Sequence, residues 1–132
     1  MIITMPRNDG PRHRRKAERN MRFRSEIESV GNGYPEWEVT AAFYAAVHLV
    51  QAYLLTFTHD RPRDHTARKA AIGRASDLRS IQDDYEELYD LSRGARYDCS
   101  IVRSDDVAKA LKLLANIKGH IDSLIARRSG QP

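Results

Sequence analysis

Three groups of side chains in this sequence have the types and spacing to do chemistry, and two of them point to anions. Tyr89, Arg93 and Arg96 follow one another at steps of four and three residues, which on a helix returns each to nearly the same direction. Two guanidiniums so placed form a phosphate clamp, since arginine stays charged and offers forked donors to phosphate oxygens. The competing reading pairs both with Asp83, Asp84, Asp90 or Asp98 nearby. His59, Arg61, Arg63, His65 and Arg68 form a second cationic group in and after a loop around Pro62, suited to anion binding or else simply solvated. Tyr44, His48 and Gln51 share one face of the most apolar segment. There His48 either lines a pocket facing the arginine-bearing helix or is a core histidine satisfied by a carbonyl or a tyrosine hydroxyl. The candidate ligand-binding set is Tyr44, His48, His59, Arg63, His65, Arg68, Tyr89, Arg93, Arg96 and Tyr97.

Other chemistries lack their residues. The histidines have no close His/Glu spacing on one helix, so no metal site is expected, and the single cysteine, Cys99, forms neither an internal disulfide nor a thiolate zinc cluster. There is no glycine-rich phosphate loop and no serine nucleophile motif, and no cofactor is expected. No apolar run reads as long enough to span a bilayer and no signal peptide is visible, which together with the lone cysteine predicts a cytoplasmic protein without membrane contact. The net charge of +4 is uneven: residues 1–24 hold eight Lys and Arg against two acids, so the basicity belongs to an N-terminal arm and the rest is slightly acidic.

The elements that must position these groups are helices. Residues 1–12, punctuated by Pro6, Gly10 and Pro11, read as a flexible basic tail before a single domain over 13–130. From Arg14 to Val30, good helix formers carry a narrow stripe of Met21, Phe23, Ile27 and Val30, stopped by Gly31-Asn32-Gly33. From Pro35 to Phe57, Trp37, Val39, Phe43, Val47, Val50, Leu54 and Phe57 recur at helical steps and predict the core helix. Trp37, Phe43, Tyr53 and Phe57 read as packing residues rather than as a stacking platform for bases. Asp64 caps a helix through Ile72, Leu78 to Leu91 mark one further helix or the continuation of a kinked one, and Ser104 caps a last helix that ends among Arg127, Arg128 and Gly130. No strand-like alternation competes, so the expected fold is an all-α, up-and-down bundle of four or five helices.

Two segments carry a family resemblance. Trp37 to His48 (WEVTAAFYAAVH), with small residues around aromatics and a terminal histidine, resembles the second helix of HEPN domains; Tyr85 to Tyr97 (YEELYDLSRGARY) resembles the segment in which a helix-ending arginine opens that family's functional motif. The similar stretches cover about residues 35–98. The resemblance implies a HEPN-like bundle that binds RNA or a nucleotide, commonly as a homodimer and often beside a small nucleotidyltransferase partner in toxin–antitoxin or defence systems. Family members that cut RNA without metal place a histidine four to six residues after the arginine. Here neither Arg93 nor Arg96 has one: Asp98 stands where four intervening residues from Arg93 would put it, and the next histidine is His120. The expected function is therefore a nucleic-acid or nucleotide-binding accessory. One alternative is a divergent metal-independent endoribonuclease in which His65 replaces the missing histidine and Arg93 stabilises the phosphate; another is a structural dimerisation module.

Overall fold

The computed structural model describes residues 10–28, 34–97 and 101–130. Those residues form five α-helices and no strand: α1 (Gly10–Glu28), α2 (Pro35–Phe57), α3 (His65–Arg74), α4 (Gln82–Tyr97) and α5 (Ser104–Arg128), with a 3₁₀ turn, Ser76–Ile81, between α3 and α4. The Gly31-Asn32-Gly33 stop, Val30, Asp98 and Cys99 lie outside the described residues, as do residues 1–9 of the expected tail.

The bundle is built around α2, which packs against α1, α4 and α5. Its sequence explains the position: between Val39 and Phe57 no residue is charged, and apolar side chains point in every direction, so burial on all sides is the only arrangement that removes them from water. Val39, Leu49, Val50, Tyr53 and Leu54 are all at most 1% exposed. Ala42, Ala45 and Ala46, also buried, let neighbouring helices approach closely. The remaining core comes from Ile72 of α3, Leu78 and Ile81 of the turn, Tyr85 and Leu88 of α4, and Ala110, Ile117 and Ile121 of α5. This composition also corrects one expectation, because α2 is the described helix long and apolar enough to cross a membrane by length and composition, with 78% of its most apolar stretch buried inside the bundle.

Helix ends differ from the sequence reading where backbone groups find other partners. α1 begins at Gly10, taking in residues expected in the tail, because a proline such as Pro11 is tolerated in the first turn, where its missing N–H costs no hydrogen bond. Asp64 caps α3 as expected, its carboxylate accepting the Ala67 N–H at 2.7 Å. At α5 the cap position falls on Arg103 and not Ser104; Asp106 reaches back to accept the Arg103 N–H at 2.9 Å, which satisfies the helix entry without a serine hydroxyl. α3 and α4 are two helices and not one kinked helix, since the 3₁₀ turn intervenes. That turn is held by α5, where the His120 ring hydrogen-bonds the Asp77 carbonyl at 2.6 Å and Arg128 donates to the Asp77 carboxylate at 2.9 Å.

The packing assigned to the aromatics holds for Tyr53 and Phe43, which are buried, and for Phe57, which packs on the core edge. Trp37 is different: it is 54% exposed, and with Phe23 (47%) and Tyr34 (46%) it surrounds Ile27 in an apolar depression at the α1–α2 end of the bundle. Helical spacing placed Trp37 in register with the core stripe, but in the first turn of α2 it lines open depressions with Phe23 and Ile27 of α1 and with Ala95, Arg96 and Tyr97 of α4, and stays half exposed.

Because Leu49 sits where α2 is enclosed on all sides, Leu49→Ala is expected to destabilise the fold by about 2–5 kcal/mol in urea titration, whereas Thr56→Ala, on an exposed position of the same helix, stays within about 0.5 kcal/mol.

Candidate functional site

The polar side chains of α2 set the site. Gln51 is 7% exposed, and its amide is used at both ends: Nε2 donates to the Pro62 carbonyl at 2.9 Å and Oε1 accepts from Arg68 Nε at 3.2 Å. A buried amide left unpaired would cost about 1–3 kcal/mol, so Gln51 fixes the loop after α2 and the first turns of α3 against the core. Arg68 is further held by the hydroxyl of the buried Tyr85, to which it donates at 3.3 Å. The neighbouring His65, first residue of α3, lies flat on Tyr89 of α4, with ring centroids 3.4 Å apart and planes within 7°. The loop, α3 and α4 are thereby locked together.

Across α2 from this stack, Tyr44 accepts a hydrogen bond from Arg96 Nη1 at 3.0 Å. The Arg96 guanidinium lies 5.0–5.6 Å from the ring centres of Phe43, Tyr44 and Tyr97, within reach of cation–π attraction, and its Nε donates to the Ser92 carbonyl at 3.3 Å. These contacts bring Arg63, His65, Arg68, Tyr89, Arg96, Tyr97 and Tyr44 around one open cavity of about 300 Å³, floored by Phe43 and Val47 and with Asp64 on its rim. Arg63, Arg68 and Arg96 form no ion pair with any acid among the described residues. The cavity therefore presents three guanidiniums, none of them ion-paired among the described residues, against one lining carboxylate, that of Asp64.

Three candidates fall elsewhere. Arg93 is exposed, does not line the cavity and makes no contact with an acid among the described residues; its step of three from Arg96 leaves it turned toward solvent while Arg96 turns toward α2. His59 is exposed and stands outside the cavity. His48 does not face the arginine helix: its Nδ1 meets Nδ1 of His13 on α1 at 2.7 Å, with the rings stacked at 4.9 Å. At most one of two nitrogens that close carries the proton. Burial, followed by the positive charges of His13, Lys16 and Arg68, pushes the His48 imidazole down to about 4. No pattern in the sequence marks His13 as its partner, since a helical pattern defines faces but not which helix each face meets.

His65 is also displaced downward, first by burial and then by the charges of Arg68 and Lys69, with Glu86 and Asp90 opposing. It is therefore held as neutral imidazole near pH 7, able to accept a proton. Another cavity, about 480 Å³ between α4 and α5, carries Glu87, Asp90 and Asp106 with Lys109, which pairs with Glu87, so its excess charge is negative and disfavours the anions that the arginine pocket attracts. No cluster of three His, Cys, Asp or Glu suited to a metal occurs among the described residues.

The HEPN domain family model matches residues 11–122 of this chain, across all five helices. The chain belongs to the HEPN domain family. No curated protein matches it.

His48 binds fewer protons folded than unfolded between about pH 4 and its ordinary value of 6.5, so it makes stability rise with pH through that window and fall as the solution is acidified through it. Urea titrations at pH 7 and pH 4.5 should show this acid loss, and His48→Asn should reduce it; an unchanged difference between the two pH values would contradict the assignment.

Proposed function

We propose that this HEPN-domain protein binds the phosphates of a nucleic acid or nucleotide in the pocket of Arg63, Arg68 and Arg96. The observation that carries the reading is the convergence of three guanidiniums from a loop, α3 and α4 on one cavity without a carboxylate partner among the described residues. Gathering like charges costs energy unless an anion repays it, and forked guanidiniums suit phosphate. Tyr44 and Tyr97, 38% and 72% exposed beside Arg96, supply ring faces on which a base can stack. The resemblance-based expectation of a homodimer has its best surface in the apolar depression of Phe23, Ile27, Tyr34 and Trp37.

A second reading, metal-independent RNA cleavage, is favoured by one specific feature: a histidine held neutral shares the pocket with Arg96. In that chemistry His65 takes the proton of a ribose 2′-hydroxyl, whose oxygen attacks the adjacent phosphorus. Arg96 then stabilises the charge on the pentavalent phosphate until the P–O5′ bond breaks and the 5′-oxygen takes a proton from water, giving a 2′,3′-cyclic phosphate, while His65 releases its proton to solvent. Arg96 takes the place in this scheme that the sequence reading gave to Arg93.

Incubation of the protein with labelled single-stranded RNA in EDTA separates the two. Retention of intact RNA with a Kd that weakens steeply between 50 and 200 mM salt is expected, and Arg96→Ala should weaken binding about tenfold while Arg93→Ala changes it less than twofold. Cleavage lost in both His65→Ala and Arg96→Ala would establish the nuclease instead, and wild-type affinity in Arg96→Ala would remove the pocket from the account.

A further inference from the structure

A second basic depression, about 290 Å³, lies beside the first and is lined by Arg12, His13 and Lys16 of α1 and by His48 of α2. Arg12 and Lys16 are four residues apart, so both project from one face of α1, and the stacked His13–His48 pair fixes that face against α2. Among the described residues that line the depression there is no carboxylate. It adjoins the arginine pocket through consecutive residues of α2, since Val47 lines one and His48 the other. Arg68 also belongs to both surroundings: it lines the arginine pocket, and its charge reaches His48. Burial is the first cause that displaces His48 downward, and the charges of His13, Lys16 and Arg68 add to it, so cations of both depressions lie near its ring.

We propose that Arg12, Lys16 and the His13–His48 pair form a second phosphate subsite, continuous with the Arg63–Arg68–Arg96 pocket, so that the ligand of the combined surface is a single nucleic-acid strand and not a mononucleotide. The inference rests on the phosphate-binding reading of the first pocket. Proteins that hold single strands do so with a cationic groove that tracks several phosphates, and two adjoining subsites on α2 supply that track. A mononucleotide occupies one subsite only, so affinity must grow with strand length until both are filled. The α1 cluster also gives the basic N-terminal segment a task that its charge alone leaves unspecified.

The test uses the full chain, with uridine monophosphate followed by NMR shifts and a labelled oligouridylate dodecamer followed by fluorescence anisotropy at several salt concentrations. The variants are the double substitution Arg12→Ala with Lys16→Ala, at exposed positions, and Arg96→Ala, each shown to be folded by circular dichroism. The double variant is expected to keep wild-type affinity for the mononucleotide, to lose about tenfold or more for the dodecamer, and to lower the salt slope by about 1 to 2. Wild-type dodecamer affinity and slope in the double variant overturn the second subsite while leaving the arginine pocket standing. Loss of dodecamer binding in the double variant with none in Arg96→Ala has the opposite meaning: α1 binds the strand and the first pocket does not. A wild-type protein that binds neither probe overturns both.

Discussion

A helix buried on every side must find a partner for each polar group it carries, and that requirement on α2 organises the molecule. Glu38, 7% exposed, pairs with Arg24 of α1 at 3.3 Å. His48 meets His13 of α1, Gln51 holds the Pro62 carbonyl and Arg68, and Tyr44 holds Arg96 of α4. Tyr53 hydrogen-bonds Asp77 of the 3₁₀ turn and accepts from Arg128 of α5 at 2.8 Å. Between them these side chains reach α1, the loop with α3, α4, and the 3₁₀ turn with α5. Hydrophobic burial drives the helices together without direction, whereas these bonds are directional and each is costly to leave unmade. Apolar area makes α2 the centre; the bonds of its five polar side chains Glu38, Tyr44, His48, Gln51 and Tyr53 decide what surrounds it and in which rotation.

The candidate site is a by-product of the same constraint. Gln51 draws in the loop that carries Arg63 and the helix that carries His65 and Arg68, and Tyr44 draws Arg96 over the opposite side of the cavity. The cations are therefore placed by neutral hydrogen bonds and aromatic faces, and not by carboxylates. That leaves their charge available, which is the physical difference between these three arginines and Arg14, Arg24 or Arg128, each neutralised by an acid. Surface ion pairs such as Lys69–Glu86 add little to stability by comparison.

Much of this was legible in the sequence because helical periodicity and capping are local. The apolar continuity of 35–57 identified the core helix, Asp64 marked the start of α3, and the paired segments WEVTAAFYAAVH and YEELYDLSRGARY marked the family. Periodicity also put Tyr89, Arg93 and Arg96 on roughly one face, but a face is broad, and only the position of Tyr44 decides that Arg96 turns inward while Arg93 stays in solvent. Likewise nothing local pairs His48 with His13, 35 residues away, or tells that Trp37 lines open depressions and not the core. The ties between Asp77 and α5 join residues roughly 40–50 positions apart and leave no trace in any short pattern. What the sequence could not disclose is tertiary choice among faces that local rules leave equivalent.

The central claim is that the polar partners of α2 gather Arg63, Arg68 and Arg96 into one phosphate-binding pocket. It is tested most directly by following the Nε–Hε signals of the arginines by NMR while a short single-stranded RNA is added. The account predicts that the largest changes fall on Arg63, Arg68 and Arg96, accompanied by the His65 ring signals, with Arg93 little affected. Changes confined to Arg93 and other exposed arginines, with those three unmoved, would contradict it.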